Sequence, residues 1–273
     1  MAAVPQEILN HYADVDESAR ITGGLGQLEF VRTQEIVRRF LPAGALEVAD
    51  IGGGPGVYAR WLAEEGHRVH LIDPSPKHVA ICQAMRPGAG AIAASLGVAA
   101  ALPLRDASMD AVLMLGPMYH LTEEADRVAA LREALRVAKP GAPLFVAAIS
   151  RYSSMFDALA RKMLFEPKFR AIVERDVTDG QHRNPDDDEG WFTTAYFHQP
   201  DELRGEAEAA GVAVSDVFGV EGLGAWVPSL AEEWEIPERR EAIIWAARQI
   251  ETEPTVAGLS SHLLLVGHRP TVG

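Results

Sequence analysis

The run Val48-Ala49-Asp50-Ile51-Gly52-Gly53-Gly54-Pro55-Gly56 decides how this chain folds, read together with His70-Leu71-Ile72-Asp73 downstream. An apolar segment that ends in a glycine-rich turn and then enters a helix lets backbone approach a bound nucleoside closely, with helix-end N–H groups nearby. Asp73 closes the next apolar run about twenty residues on, where an acidic side chain accepts from both ribose hydroxyls of a nucleotide. The spacing narrows the ligand. A dinucleotide fingerprint, G-x-G-x-x-G counted from Gly52 and Gly54, needs glycine where this chain has Val57. The pattern here is G-x-G-x-G over Gly52, Gly54 and Gly56, with acidic Asp50 ahead of it.

Outward from this point, strand and helix signals alternate through the first 150 residues, as a largely parallel sheet covered by helices requires. Residues 46–51 predict the first strand, 57–65 a helix closed by Gly66, and 69–72 the second strand. Ser75 reads as an N-cap with Pro76 at the first helical position, in a helix that stops by Pro87-Gly88. Residues 91–95 form a third strand, and the unbroken apolar run 111–115 a fourth, buried on both faces. Thr122 is expected to cap the next helix, whose Val128, Leu131 and Leu135 share one face before Pro140-Gly141 ends it. Residues 144–149, 213–220 and 262–268 supply three more strands.

The expected organisation is a helical arm over residues 1–45 and one domain over 46–273. Two segments stand outside the sheet. Residues 151–199 begin with a basic amphipathic helix (Met155, Leu159, Met163, Leu164) and pass into the polar loop 179–190. Residues 222–256 hold Trp226, a break at Pro228, Trp234 and a helix over 239–250. Both follow strands, and loops at the carboxyl ends of sheet strands carry ligands in open α/β folds.

Composition is that of a soluble enzyme. The 273 residues are enough for a sizeable core, 48% are apolar, and no run approaches the roughly twenty apolar residues of a membrane helix. The first residues, Met1-Ala2-Ala3-Val4-Pro5, lack the basic and apolar regions of a signal peptide, so a cytoplasmic setting is expected. Cys82 is the single cysteine and sits among Val79, Ala80 and Ile81, a core position rather than a nucleophile. A net charge of −14 disfavours nucleic acid and anionic membranes as partners. The partner expected is a small-molecule acceptor, with the chain a monomer or homodimer.

Gly52 to Gly56 with Asp50 resembles motif I, D/E-x-G-x-G-x-G, of the class I S-adenosylmethionine-dependent methyltransferases. Further motifs carry the resemblance over most of residues 10–221. Gly116-Pro117-Met118-Tyr119-His120-Leu121 is similar to the G-P-L-Y-H-L signature of a small-molecule group akin to the ubiquinone and menaquinone methyltransferases. Lys139-Pro140-Gly141 matches that family's turn before the fifth strand, with Ala142 in place of a last glycine. The resemblance implies a Rossmann-like α/β fold: a seven-stranded, mostly parallel sheet with an antiparallel closing strand and helical lid insertions. It also implies S-adenosylmethionine as cofactor, held by Asp50, Gly52, Gly54, Gly56 and Asp73, by Leu115 after the fourth strand, and by backbone at Ala99 and Leu102 beside the adenine. One departure stands out. The family pattern G-D-A-x-x-L-P is Gly97-Val98-Ala99-Ala100-Ala101-Leu102-Pro103 here, so the aspartate that accepts from the adenine amino group is Val98. Tyr12, Glu17, Arg20 and residues 28–33 resemble the family's arm, in which an aromatic and an arginine meet the cofactor's amino-acid end; those roles fall to Tyr12 and Arg32. The bland readings are a core position for Tyr12 and pairing of Arg32 with Glu29 or Glu35 on a solvated helix face.

Methyl transfer from a sulfonium is an in-line displacement, so it needs positioning first, and a base only where the acceptor carries a proton at neutral pH. His120 suits the base role, with Tyr119 bonding to or stacking on the acceptor; alternatively His120 merely orders its loop. Trp191, Phe192, Tyr196, Phe197 and Trp226 either wall a flat acceptor or form the lids' own core. His182 and His198, with Asp186, Asp187 and Asp188, lack tight ligand spacing, and no metal is expected. The expected reaction is methyl transfer to oxygen, nitrogen or carbon of a small aromatic or heterocyclic metabolite. The alternatives are a nicotinamide-dependent oxidoreductase, against which Val57 counts, and a non-catalytic nucleoside-binding protein with the same fold.

Overall fold

The computed structural model describes residues 7–8, 17–185, 188, 190–227 and 229–271. Within them the strands are β1 (Glu47–Ile51), β2 (Arg68–Asp73), β3 (Ala91–Leu96), β4 (Ala111–Met114), β5 (Pro143–Ile149), β6 (Gln181–His182), β7 (Ala195–Tyr196), β8 (Ala213–Gly219) and β9 (His262–His268). The helices are α1 (Glu17–Thr22), α2 (Leu25–Phe40), α3 (Val57–Glu64), α4 (Pro76–Ala84), α5 (Pro117–His120), α6 (Glu124–Val137), α7 (Ser153–Ala160), α8 (Pro167–Asp179), α9 (Pro200–Ala210), α10 (Leu230–Trp234), α11 (Pro237–Ile250) and α12 (Pro254–Ala257).

Seven strands form one sheet in the order β3-β2-β1-β4-β5-β9-β8, and β6 and β7 make a separate antiparallel ribbon. Pairing is parallel from β3 through β5, and β9 runs antiparallel to both of its neighbours. This is the Rossmann-like fold expected, closed by the antiparallel pair β8–β9. Alternation along the strands divides the core. Ala49, Ile51, Val112, Met114, Leu144 and Val146 pack with α6 and α9, while Val48, Ala111, Leu113 and Phe145 pack with α2 and α3. The strand order turns back between β1 and β4, which places a crevice at their carboxyl ends.

Local chemistry sets the element ends. Ser75 Oγ accepts from the N–H of His78, the cap expected for α4. Thr122 does not cap α6: Glu123 takes that position without a side-chain cap, and the Thr122 carbonyl accepts from side chains of Arg127 and Gln181 instead. The amphipathic helix expected from Met155 onward breaks after α7, because Lys162 enters the left-handed region at φ +61°, and Leu159 is left 64% exposed. In the arm, α1 and α2 fold tightly together at Gly23-Gly24: Gly24 has φ +53°, and a Cβ on Gly26 would lie 2.0 Å from the Arg20 carbonyl oxygen. No helix among the described residues is long and apolar enough to cross a membrane.

Candidate cofactor and acceptor site

The glycine turn after β1 and the turn after β4 are pressed together at the crevice. Gly52 has φ +67°, and a Cβ there would lie 2.7 Å from Pro117 Cγ; one on Gly116 would lie 3.0 Å from the Gly52 carbonyl oxygen. Gly52 donates its N–H to the Ile72 carbonyl at 2.7 Å, tying the turn to β2. Gly54 lines the resulting cavity of about 350 Å³, and a Cβ there would meet nothing within 4 Å. The face that could take a side chain is therefore left bare toward the cavity. Gly56 is needed for a different reason: a Cβ there would lie 2.7 Å from Cys82 Sγ, so this glycine lets α3 pack on α4 and lines no part of the cavity.

Two carboxylates floor the cavity. Asp73 accepts from Gly54 N–H at 2.9 Å on Oδ2, and from Ser75 N–H at 2.8 Å and His78 Nδ1 at 3.2 Å on Oδ1. A carboxylate has about four acceptor positions, so one on Oδ2 remains. Asp50 is buried, and its Oδ2 has no hydrogen-bond partner among the described residues. Burial, and then the charge of Asp73, push the Asp50 carboxyl up to about 7, against the lowering effect of the Ala59 N–H. Burial, with the same two carboxylates, raises the Cys82 thiol to about 12. Cys82 is thus the inert core residue expected.

At the far end the cavity is lined by Tyr119, His120, Leu121 and Thr122 of the segment after β4, and by Arg20, Ile21 and Glu29 of the arm. The rings of Tyr119 and His120 lie 4.7 Å apart, and Phe192 stacks on His120 at 6.0 Å. Arg20 pairs with Glu29 at 3.0 Å. Behind Glu29, His262 Nδ1 donates to Glu221 at 2.5 Å. Burial opposes the imidazolium, but Glu29 and Glu221 prevail and raise His262 to about 9. Glu29, Glu221 and His262 each offer a ligand atom within 4.8 Å of the others and form an ion-pair network at the cavity edge.

The structure brings Asp50, Gly52, Gly54, Asp73, Ala99, Leu115, Tyr119 and His120 to this one cavity. It places Arg32 elsewhere. That guanidinium is fully buried, donating to the Val220 carbonyl at 3.2 Å and pairing with Glu35 and Glu251. Arg20 is the arm arginine at the cavity. Leu102 is likewise absent from the lining: its N–H goes to Glu133 at 3.1 Å and its carbonyl accepts from Arg136, while Ala100 lines the cavity. Tyr12 lies outside the described residues, as do Asp186 and Asp187. The lid aromatics mostly form lid core: Trp191 packs on Phe169 at 4.9 Å, Trp226 on Phe156 at 5.1 Å, and Phe197 is buried. Only Phe192, of those aromatics, touches His120 and Tyr119 among the ring contacts described. Tyr58, Glu29 and Val98, none read as a site residue, also line the cavity. Tyr58 follows Gly56-Val57 at the start of α3, and that position was the available signal.

Comparison with known proteins gives the family. A methyltransferase-domain family profile matches residues 49–146, which hold both turns and Asp73. A ubiquinone biosynthesis O-methyltransferase of Methylobacterium nodulans is 32% identical over 184 residues, 67% of this chain and 66% of that protein. The chain belongs to the class I S-adenosylmethionine-dependent methyltransferase family. An uncharacterized methyltransferase of Mycobacterium tuberculosis is 36% identical over 110 residues, and the chain spans only 42% of the length of that relative. A solved S-adenosylmethionine-dependent methyltransferase from Mesorhizobium loti shares the fold, with TM-score 0.59 at 19% identity over 90% of this chain and 100% of that one.

The methyltransferase cofactor fits the residues present. S-adenosylmethionine is cationic at its sulfonium and ammonium, and the cavity offers Asp50 with an unpartnered buried oxygen and Asp73 with an acceptor position remaining. The bare glycine face at Gly54 gives the close backbone approach that a nucleoside needs.

Proposed function

We propose that this methyltransferase moves a methyl group from S-adenosylmethionine to oxygen, nitrogen or carbon of a small aromatic or heterocyclic acceptor. One observation carries the reading: the glycine turn with Asp73, and the Tyr119-His120 pair, line one continuous cavity. When bound, S-adenosylmethionine supplies a methyl group on a sulfonium with a neutral thioether as leaving group. The chain's own contribution is then mainly positioning, for which well-oriented reactants gain roughly 7–11 kcal/mol. Asp73 and the turn at Gly52 and Gly54 hold the nucleoside, with Ala99 and Leu115 against its base. Arg20 takes the carboxylate of the amino-acid end, the role expected of Arg32. His120 accepts the acceptor's proton where there is one, and Tyr119 orients the acceptor. Segments 151–199 and 222–256 are the lids that exclude water, Phe192 being the lid side chain stacked on His120. Among the described residues, the carboxylates of Glu29, Asp50, Asp73 and Asp126 line the cavity with the single guanidinium of Arg20, which favours neutral or cationic acceptors over anionic ones.

The test is calorimetric titration with S-adenosylhomocysteine beside NAD and NADP, followed by a screen of phenols, amines and heterocycles with methyl-labelled cofactor. Micromolar binding of the homocysteine compound alone, then label transfer to an acceptor, is the expected result. In His120→Gln, transfer to a phenol falls by about 10²- to 10⁴-fold with cofactor binding retained. Binding without any transfer would favour the non-catalytic reading, and no binding would refute the cofactor assignment.

A further inference from the structure

The two peptides that follow His120 are held by two side chains, one from the next helix and one remote in sequence. Arg127 of α6 is 2% exposed and donates from Nη1 to the Leu121 carbonyl at 2.8 Å and the Thr122 carbonyl at 2.9 Å. Its Nε and Nη2 grip the carboxylate of Glu206 on α9 at 2.6–3.0 Å. From the other side, Gln181 of β6 donates Nε2 to the Thr122 carbonyl at 3.1 Å. That carbonyl thus has both lone pairs occupied by side chains. Tyr196, paired with Gln181 across the β6–β7 ribbon, lies under the guanidinium at 3.8 Å. A clamp between α6 and α9 would need only the fork on Glu206. Nη1 turned to two successive carbonyls does something else: it sets the plane of the peptides from which the His120 loop departs.

We propose that Arg127 and Gln181 are positioning residues for His120. The β6–β7 ribbon, through Gln181 and through Tyr196 stacked on Arg127, fixes the Leu121 and Thr122 peptides, and these fix the imidazole at the cavity. Seating of the ribbon and competence of His120 are therefore one event. The proposal rests on the methyl-transfer reading above. It adds a cause for the lid's presence that exclusion of water does not supply.

Three variants test it: Gln181→Ala, which removes the ribbon's donor; Tyr196→Leu, which keeps apolar bulk without the π face; and Arg127→Lys, which keeps the charge without the fork. Amide exchange across residues 117–124 is followed by mass spectrometry in the free protein, S-adenosylhomocysteine affinity by calorimetry, and kcat and KM by methyl transfer. The expected result is exchange faster by about tenfold over 117–124 and unchanged over β1 and β2. With it, kcat falls by about ten- to a hundredfold, while KM and cofactor affinity stay within about threefold. Wild-type exchange and wild-type kcat in Gln181→Ala and Tyr196→Leu would overturn the proposal, and these two variants carry the test should Arg127→Lys not fold. Cofactor affinity lost in parallel with kcat would also overturn it, since the network would then merely hold the fold. If wild-type protein neither binds S-adenosylhomocysteine nor transfers methyl, the methyl-transfer reading fails by itself, and the exchange data still decide whether these side chains hold the loop.

Discussion

Asp50 gives the sharpest quantitative expectation. Its carboxyl is driven from the usual 3.8 to about 7 by burial and by Asp73, and one of its oxygens has no hydrogen-bond partner among the described residues. At 1.36 kcal/mol per pH unit this amounts to about 4 kcal/mol of disfavoured ionisation, an upper bound that relaxation of the site reduces. A cationic ligand over the glycine turn supplies the missing compensation, so binding favours the ionised form and releases a proton. Below about 7 each ligand bound must expel that proton, and affinity falls about tenfold per pH unit until the bound-state titration is reached. S-adenosylhomocysteine, with its ammonium, is therefore expected to bind about a hundredfold more tightly at pH 8 than at pH 5. Calorimetry at pH 6 in two buffers of different ionisation enthalpy should count close to one proton released. Asp50→Asn should flatten the profile and lose most of the pH 8 affinity. The free protein carries the opposite sign. A carboxyl raised on folding contributes stability that is fully present below its unfolded value near 3.8 and is lost as pH rises through about 7, so Asp50→Asn should melt higher than wild type at pH 8 and not at pH 3.5. An unchanged pH slope in Asp50→Asn, or no proton released by the wild type, would refute the reasoning.

Asp73→Ala should weaken S-adenosylhomocysteine binding by about a hundredfold, a charged acceptor lost together with the anchor of the Gly54 N–H; calorimetry reads it directly, and a change under threefold would count against the nucleoside assignment. Val98→Asp restores the carboxylate that the family's pattern places beside the adenine, and S-adenosylhomocysteine binding read by calorimetry should tighten by about five- to tenfold. Arg32→Met should cost roughly 3 kcal/mol in chemical denaturation, because Glu35, Glu251 and the Val220 carbonyl lose their buried partner, yet leave cofactor affinity within about twofold. A lost affinity there would return Arg32 to the site. His120→Gln should separate chemistry from binding as described above, the rate constant falling while S-adenosylhomocysteine affinity is retained.

The sheet and its crevice were legible because each constraint is local. Asp50 to Gly56, Ser75-Pro76 and the apolar run 111–114 each determine their own conformation, through glycine's access to positive φ, a cap hydrogen bond, and burial on both faces. Even so, the glycines proved unlike one another. Gly52 is required by Pro117, Gly53 by the Asp50 carboxylate 2.5 Å from where its Cβ would stand, and Gly56 by Cys82, so Gly54 alone of the motif is bare toward a ligand. Spacing shows that a turn is tight without showing what presses on it. The choice between the two readings of the lid aromatics, and the place of Leu102, turn on a related point: their partners, such as Phe169 for Trp191 and Glu133 for the Leu102 N–H, are fixed only by the tertiary fold.

The arm shows where pattern reading gives out. Arg20 and Arg32 both lie on helices with acidic residues at pairing distance, and helical spacing alone cannot say which faces the cavity. What decides is the fold-back at Gly23-Gly24, where the left-handed Gly24 and the absence of a side chain on Gly26 let α1 turn against α2. That turn sets Arg20 beside Glu29 at the cavity and leaves Arg32 facing Val220 and Glu251 at the end of the sheet. The legible signal was the cluster Gly23-Gly24-Leu25-Gly26, three glycines in four residues where a continuous helical arm would carry none. Gly26→Ala tests the point: with the Arg20 carbonyl 2.0 Å from the new Cβ the helix pair must separate, and cofactor affinity should fall although the substituted residue lines no part of the cavity. Affinity unchanged in that variant, with the fold intact, would mean that the arm arginine contributes nothing and that the amino-acid end is held by the turns after β1 and β4 alone.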